Sequence, residues 1–175
     1  SWKLVEINFH LIPKYFLIKC KLVDMNLEKN VRFLLEKLLN SYRENKISYL
    51  NSADSQYQPA FNRFFNHQAI IRNNMFFDIS NILSEIGIEV EDVILKRPDI
   101  KQFMSTKIEK EKEDLFYKNL KKDVELKEIL LKLVKIDSEN NRIEVYKKHL
   151  EKISESNKAN KSYSIEVKEK MFLAN

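Results

Sequence analysis

One glycine, Gly87, and three prolines are all that 175 residues contain of the two strongest backbone breakers, where average usage would supply about twenty. With almost no position able to take positive φ, glycine loops that cradle nucleotides and tight-turned barrels are excluded. A Walker A loop, a G-x-S-x-G elbow and a dinucleotide fingerprint go with them, because each needs glycines that are absent. Cysteine is as scarce. Cys20 stands alone, so no disulfide closes within the chain and no cysteine-based zinc site forms, which points to a reducing compartment, cytoplasmic or nuclear. The three histidines, His10, His67 and His149, lie far apart in no HExxH-type spacing, which leaves zinc hydrolysis without support. Long hydrophobic runs are also missing. The most apolar stretch, Trp2 to Val23, is broken by Lys3, Glu6, His10, Lys14, Lys19 and Lys21, too many charges for a spanning helix or a signal-peptide core. The expectation is no membrane, no metal and no small-molecule cofactor. The first residue is Ser1, which leaves room for an upstream segment.

What is present is apolar surface and balanced charge. At 43% apolar residues, the chain can bury one ordinary core, so residues 1–175 are read as a single helix-rich domain. The net charge of +5 is a small difference between 31 basic and 26 acidic groups. Most basic residues have acidic neighbours, whereas a phosphate-tracking surface clusters lysine and arginine without interleaved carboxylates.

The terminal segments alternate like strands. Val5, Ile7, Phe9 and Leu11 share one face of residues 3–11, and after Pro13 a second face is formed by Phe16, Ile18, Cys20 and Leu22, which predicts an N-terminal β-hairpin. On this face Cys20 is read as a small core residue. Tyr163, Ile165 and Val167 alternate likewise and predict a C-terminal strand that joins the hairpin.

Helical periodicity dominates the rest. A first helix is predicted from Asp24 or Asn26 to Asn45, followed by a loop over 46–58 in which Ser55 and Gln58 have capping-box spacing ahead of Pro59. A second helix is predicted from Pro59 to Ile86, with Phe61, Phe64, Phe65, Ile71, Met75, Phe76, Ile79, Ile82 and Leu83 on its apolar arc and Gly87 as a left-handed cap. Residues 99–136 contain no glycine or proline and read as one long helix whose charged middle projects as an arm or bends; Lys107 to Lys122 suits either a coiled coil through which copies would oligomerise or a solvated helix packed at both ends. A last helix is predicted from Asp137 or Ser138 to Ser156, then a polar linker from Ser154 to Ser162. The fold class expected is therefore mainly α (α+β): a bundle of four to five helices beside a small hairpin.

The segment Gln56 to Asn74 is polar without being acidic. Asn62, Arg63, Asn66, His67, Arg72 and Asn74 interleave with phenylalanines, and this donor-rich set of amides, arginine and imidazole suits phosphates, bases or a partner's backbone. These six are the candidate binding residues. Farther on, Arg142 and His149 stand seven residues apart, nearly on one helix face with Tyr146 between them. This pairing resembles the HEPN ribonucleases, in which an arginine, four to six intervening residues and a histidine near the start of a late helix form an RNA-cleaving site across a dimer. The resemblance covers Asn141 to His149, and Ile143 follows the arginine where that family commonly has a polar residue. It implies a metal-independent ribonuclease of a defence or toxin system, with Arg142 stabilising charge on the phosphate and His149 acting as general base or acid.

The function expected first is recognition: a protein-interaction or assembly subunit, binding another chain or a second copy of itself through a helical surface. Nucleic-acid binding through Arg63, His67, Arg72 and nearby lysines comes second, and HEPN-like cleavage third.

Overall fold

A computed structural model describes residues 12–95 and 114–173, with side chains described over 25–94 and 114–169. These residues form five helices: α1 (Ile12–Asp54), α2 (Pro59–Glu85), α3 (Val90–Leu95), α4 (Leu115–Ile136) and α5 (Asn140–Leu173). The four long ones make a bundle, and their polar contacts give its topology. Lys46 reaches Asn73 while Asn62 reaches Ala53, so α1 and α2 run antiparallel. Asn45 meets Asp123 while Ser52 meets Asn119, so α1 and α4 are also antiparallel. The diagonal partners run parallel: Tyr42 and Tyr49 of α1 meet His149 and Ser156 of α5 in the same order. The bundle is thus up-down-down-up, and Glu85 and Leu115, the ends joined by the one long connection, sit at opposite ends of it.

Local chemistry sets the helix ends. Pro59 occupies the first turn of α2, where its missing N–H has no intrahelical partner to lose. Gly87 takes φ 76° just past the end of α2, as its cap position predicts. Asp114 caps α4, its carboxylate accepting from the amides of Phe116 and Tyr117 at 3.0 and 3.1 Å, and also meets Ser164 of α5.

The core has two apolar bodies. The larger is built from Val31, Leu35, Leu38, Leu39, Met75, Ile79, Leu83, Leu130 and Leu133, with Ile88 and Val93 closing one end. The smaller is aromatic: Phe65 stacks on Phe116 at 4.7 Å, while Phe61 and Phe64 meet Tyr163 edge-on at 5.2 and 5.0 Å.

Several expectations are corrected. Among the described residues there is no strand. Residues 3–11, the expected first strand, lie outside them; residues 16–22, the expected second, belong to α1. Pro13 is not a turn between strands but lies in the first turn of α1, which tolerates it, and a short apolar run fits either period when nothing breaks the chain after it. Residue 20 is therefore on a helix, and its side chain is outside the described set. The expected C-terminal strand is part of α5, where Tyr163 and Val167, one helical turn apart, pack on the aromatic body and Ile165 points outward. The loop over 46–58 shrinks to residues 55–58. Gln58 makes no side-chain cap bond, and the Ser55 hydroxyl donates instead to the Asn51 carbonyl. The linker from Ser154 to Ser162 is helical because Ser156, Asn160 and Ser164 recur every turn and face inward. Of the expected helix over 99–136, the part from Leu115 packs in the bundle against α1 and α5, and residues 99–113 lie outside the description.

Candidate interaction face and the polar residues of the core

On α2 the positions opposite the phenylalanine arc form an outward row. Arg63, His67, Ile70, Asn74 and Phe77 succeed one another by four and three residues, with Asn66 alongside, and all six are exposed. That spacing keeps them in line along the helix axis. Ile70 is 59% and Phe77 55% exposed, so the row has apolar side chains set among its donors. Asn62 sits at its edge and works locally, donating to the Ala53 carbonyl at 2.9 Å and accepting from Asn66 at 3.0 Å. Four of the six expected binding residues, Arg63, Asn66, His67 and Asn74, thus share a surface.

Arg72 does not join them. It points the other way, is fully buried, and places one guanidinium nitrogen 2.8 Å from both carboxylate oxygens of Asp123 across the bundle. Around this pair the Asn45 amide donates to Asp123 at 2.9 Å, and the hydroxyls of Tyr49 and Ser156 donate at 2.7 and 2.9 Å. Gln68 accepts from Arg72, Asn160 donates to the Tyr49 hydroxyl, and the guanidinium lies 5.1 Å from the centre of the Tyr49 ring. All four long helices contribute to this layer, which divides the two apolar bodies. A buried charge is tolerated only when partners replace water, and Asp123 has four. Burial beside that carboxylate pushes the Tyr49 hydroxyl far up, so it stays protonated and donating.

The layer was not legible as a site in the sequence, although a signal existed. On α4 the buried positions Phe116, Asn119, Asp123, Leu126, Leu130 and Leu133 alternate by three and four. Asn119 and Asp123 occupy core positions of that pattern, and a polar residue at such a position is informative.

Arg142 and His149 lie two turns apart on α5, each engaged with a different carboxylate. Arg142 forms a fork on Asp137, Nε to Oδ2 at 2.9 Å and a terminal nitrogen to Oδ1 at 2.7 Å; the Tyr146 hydroxyl and the Glu139 amide also donate to Asp137. Burial pushes the Asp137 carboxyl up, but Arg142, the Glu139 amide and Tyr146 together outweigh it and hold it below its ordinary value. His149 is buried between Tyr42 and Asp78, with Nδ1 3.0 Å from the Tyr42 hydroxyl and Nε2 3.0 Å from Asp78 Oδ2. A carboxylate only accepts, so Nε2 carries the proton and Nδ1 accepts from Tyr42. Burial holds the imidazole below its ordinary value against the opposing pull of Asp78, which favours the neutral form. In this arrangement both ring nitrogens of His149 are engaged.

Among the described residues no group of three or more His, Cys, Asp or Glu is placed to hold a metal ion, and no helix is long and apolar enough to cross a membrane. No family model matches the chain, and no curated protein or solved structure matches it either.

Proposed function

We propose that the protein works by recognition, as a protein-interaction or assembly subunit that docks another chain on the outer face of α2. One observation supports this reading above the others: Ile70 and Phe77 stand exposed in line with Arg63, His67 and Asn74. An apolar pair ringed by donors matches the make-up of protein interfaces, in which an apolar centre supplies binding energy and a polar rim sets orientation. The partner that fits carries apolar side chains over Ile70 and Phe77 and offers carbonyl or carboxylate acceptors to Arg63, Asn66, His67 and Asn74.

The test is affinity purification from native cells, with nuclease-treated controls and mass spectrometry. Ile70→Glu with Phe77→Glu, and separately Arg63→Ala with His67→Ala, are expected to abolish capture of the partner while helix content and thermal midpoint stay at wild-type values, because these side chains lie outside the core. A partner still captured by both double variants overturns the reading. Captured material that disappears with nuclease, and whose binding falls steeply with salt, replaces it with nucleic-acid recognition.

A further inference from the structure

α4 carries two seams rather than one. Beside its buried row runs a second, Tyr117, Leu120, Val124, Lys127, Leu131 and Val134, which also advances by three and four residues. A row with that mean spacing of 3.5 lies nearly parallel to the helix axis and is the pattern along which two helices pack knobs into holes. Here it faces out: Tyr117 is 60%, Val124 44% and Leu131 50% exposed, with Leu120 and Val134 half-buried at its edge. A bundle helix needs one apolar stripe to bury itself; Val134 of the second row still packs against the larger apolar body, while Tyr117, Val124 and Leu131 stand outside it.

The pattern is self-complementary about its centre. Tyr117 and Leu131 are each seven residues from Val124, and the exposed Lys121 and Glu128 flank the row on the same side. We infer that this row is the contact between two copies of the chain, their α4 helices packed antiparallel about a two-fold axis near Val124. That axis sets Tyr117 against Leu131 of the partner subunit and Val124 against Val124 of the partner subunit. It also brings Lys121 beside Glu128 of the partner subunit, twice by symmetry, as a closed isologous contact requires. A parallel pairing would put the Lys121 and Glu128 flanks of the two copies on opposite sides of the seam, out of reach of one another. The contact uses none of the α2 residues, so it stands or falls independently of the function proposed above.

Sedimentation equilibrium of the full chain over a wide range of concentration tests it. The mass is expected to rise from 21.0 kDa towards twice that value, and Leu131→Glu is expected to hold it at the monomer value with helix content unchanged. The sharper arm is charge reversal. Lys121→Glu alone and Glu128→Lys alone are each expected to weaken dimerisation roughly tenfold, from two ion pairs turned repulsive, and the double reversal to recover affinity to within about threefold of wild type. A chain that is monomeric at every concentration overturns the inference. So does a dimer that survives Leu131→Glu, or a double reversal that binds no better than the singles.

Discussion

Two arginine–aspartate pairs of nearly equal length carry different burdens. Arg72 and Asp123 meet at 2.8 Å, both fully buried; Arg142 and Asp137 meet at 2.7 Å with the arginine partly in water. The first pair joins helices distant in sequence across the bundle diagonal, and every other partner of its carboxylate is buried with it. The second spans five residues across the turn between α4 and α5, and its carboxylate keeps a tyrosine and a backbone amide whatever the arginine does. Bond length therefore says little about how much fold depends on a bond; what decides is whether the group left behind has water or another donor to turn to.

The comparison breaks hardest at Asp123. Asp123→Ala leaves the Arg72 guanidinium buried without its counter-charge and is expected to cost about 3–5 kcal/mol in urea denaturation. The paired change Arg72→Met with Asp123→Leu removes both charges and is expected to recover most of that loss; a double variant no more stable than the single would show that packing, not charge, holds the layer.

His149 is the intermediate case, buried on one side and facing a half-exposed carboxylate. Its folded-state proton affinity lies below the ordinary value of 6.5, so the unfolded chain binds the proton more readily. Stability from this group is therefore fully present above about pH 6.5 and drains away as pH falls from there through the lower folded value. Urea midpoints measured at falling pH are expected to drop in that window for the wild type and to flatten there in His149→Gln, with Asp78, Tyr42, Lys148 and Arg72 as the charged or titratable neighbours. The smallest effect belongs to Arg142→Ala. With Tyr146 and the Glu139 amide still on Asp137, it is expected to cost about 1 kcal/mol or less, and a loss comparable to Asp123→Ala would erase the distinction between the two pairs.

How much of this could be read from residues alone differs helix by helix. α2 was legible in its bounds and in its phenylalanine, isoleucine and leucine arc, but not in Arg72, which read as a donor on the outer face and is buried with Gln68 on the inner one. α4 was half legible. Val124 and Leu131 count as core by hydrophobicity, yet they are exposed, while Asn119 and Asp123 take the inner positions. The same inversion hid the second half of α1 and the middle of α5. Asn45, Ser48 and Ser52, or Ser156 and Asn160, look like loop and linker composition when polarity is taken to mean solvent. A polar residue is inside only when its partners come from other helices, and those partners, Asp123 above all, are far away in the chain. The N-terminal misreading has another cause: a run of a few apolar residues satisfies both a two-residue and a 3.6-residue repeat, and only its continuation into α1 separates them.

The up-down-down-up path makes two hairpins, α1 with α2 and α4 with α5, each contiguous in sequence. Arg72 belongs to one and Asp123 to the other. Neither hairpin can neutralise its own half of the layer, so the two must meet in one alignment. Sliding them by a single helical turn, about 5.4 Å, would carry Arg72 off Asp123 to the level of Asn119 or Leu126. The pair thus acts as a keyway: grease alone would let the halves glide past one another, and the charge admits one depth of insertion.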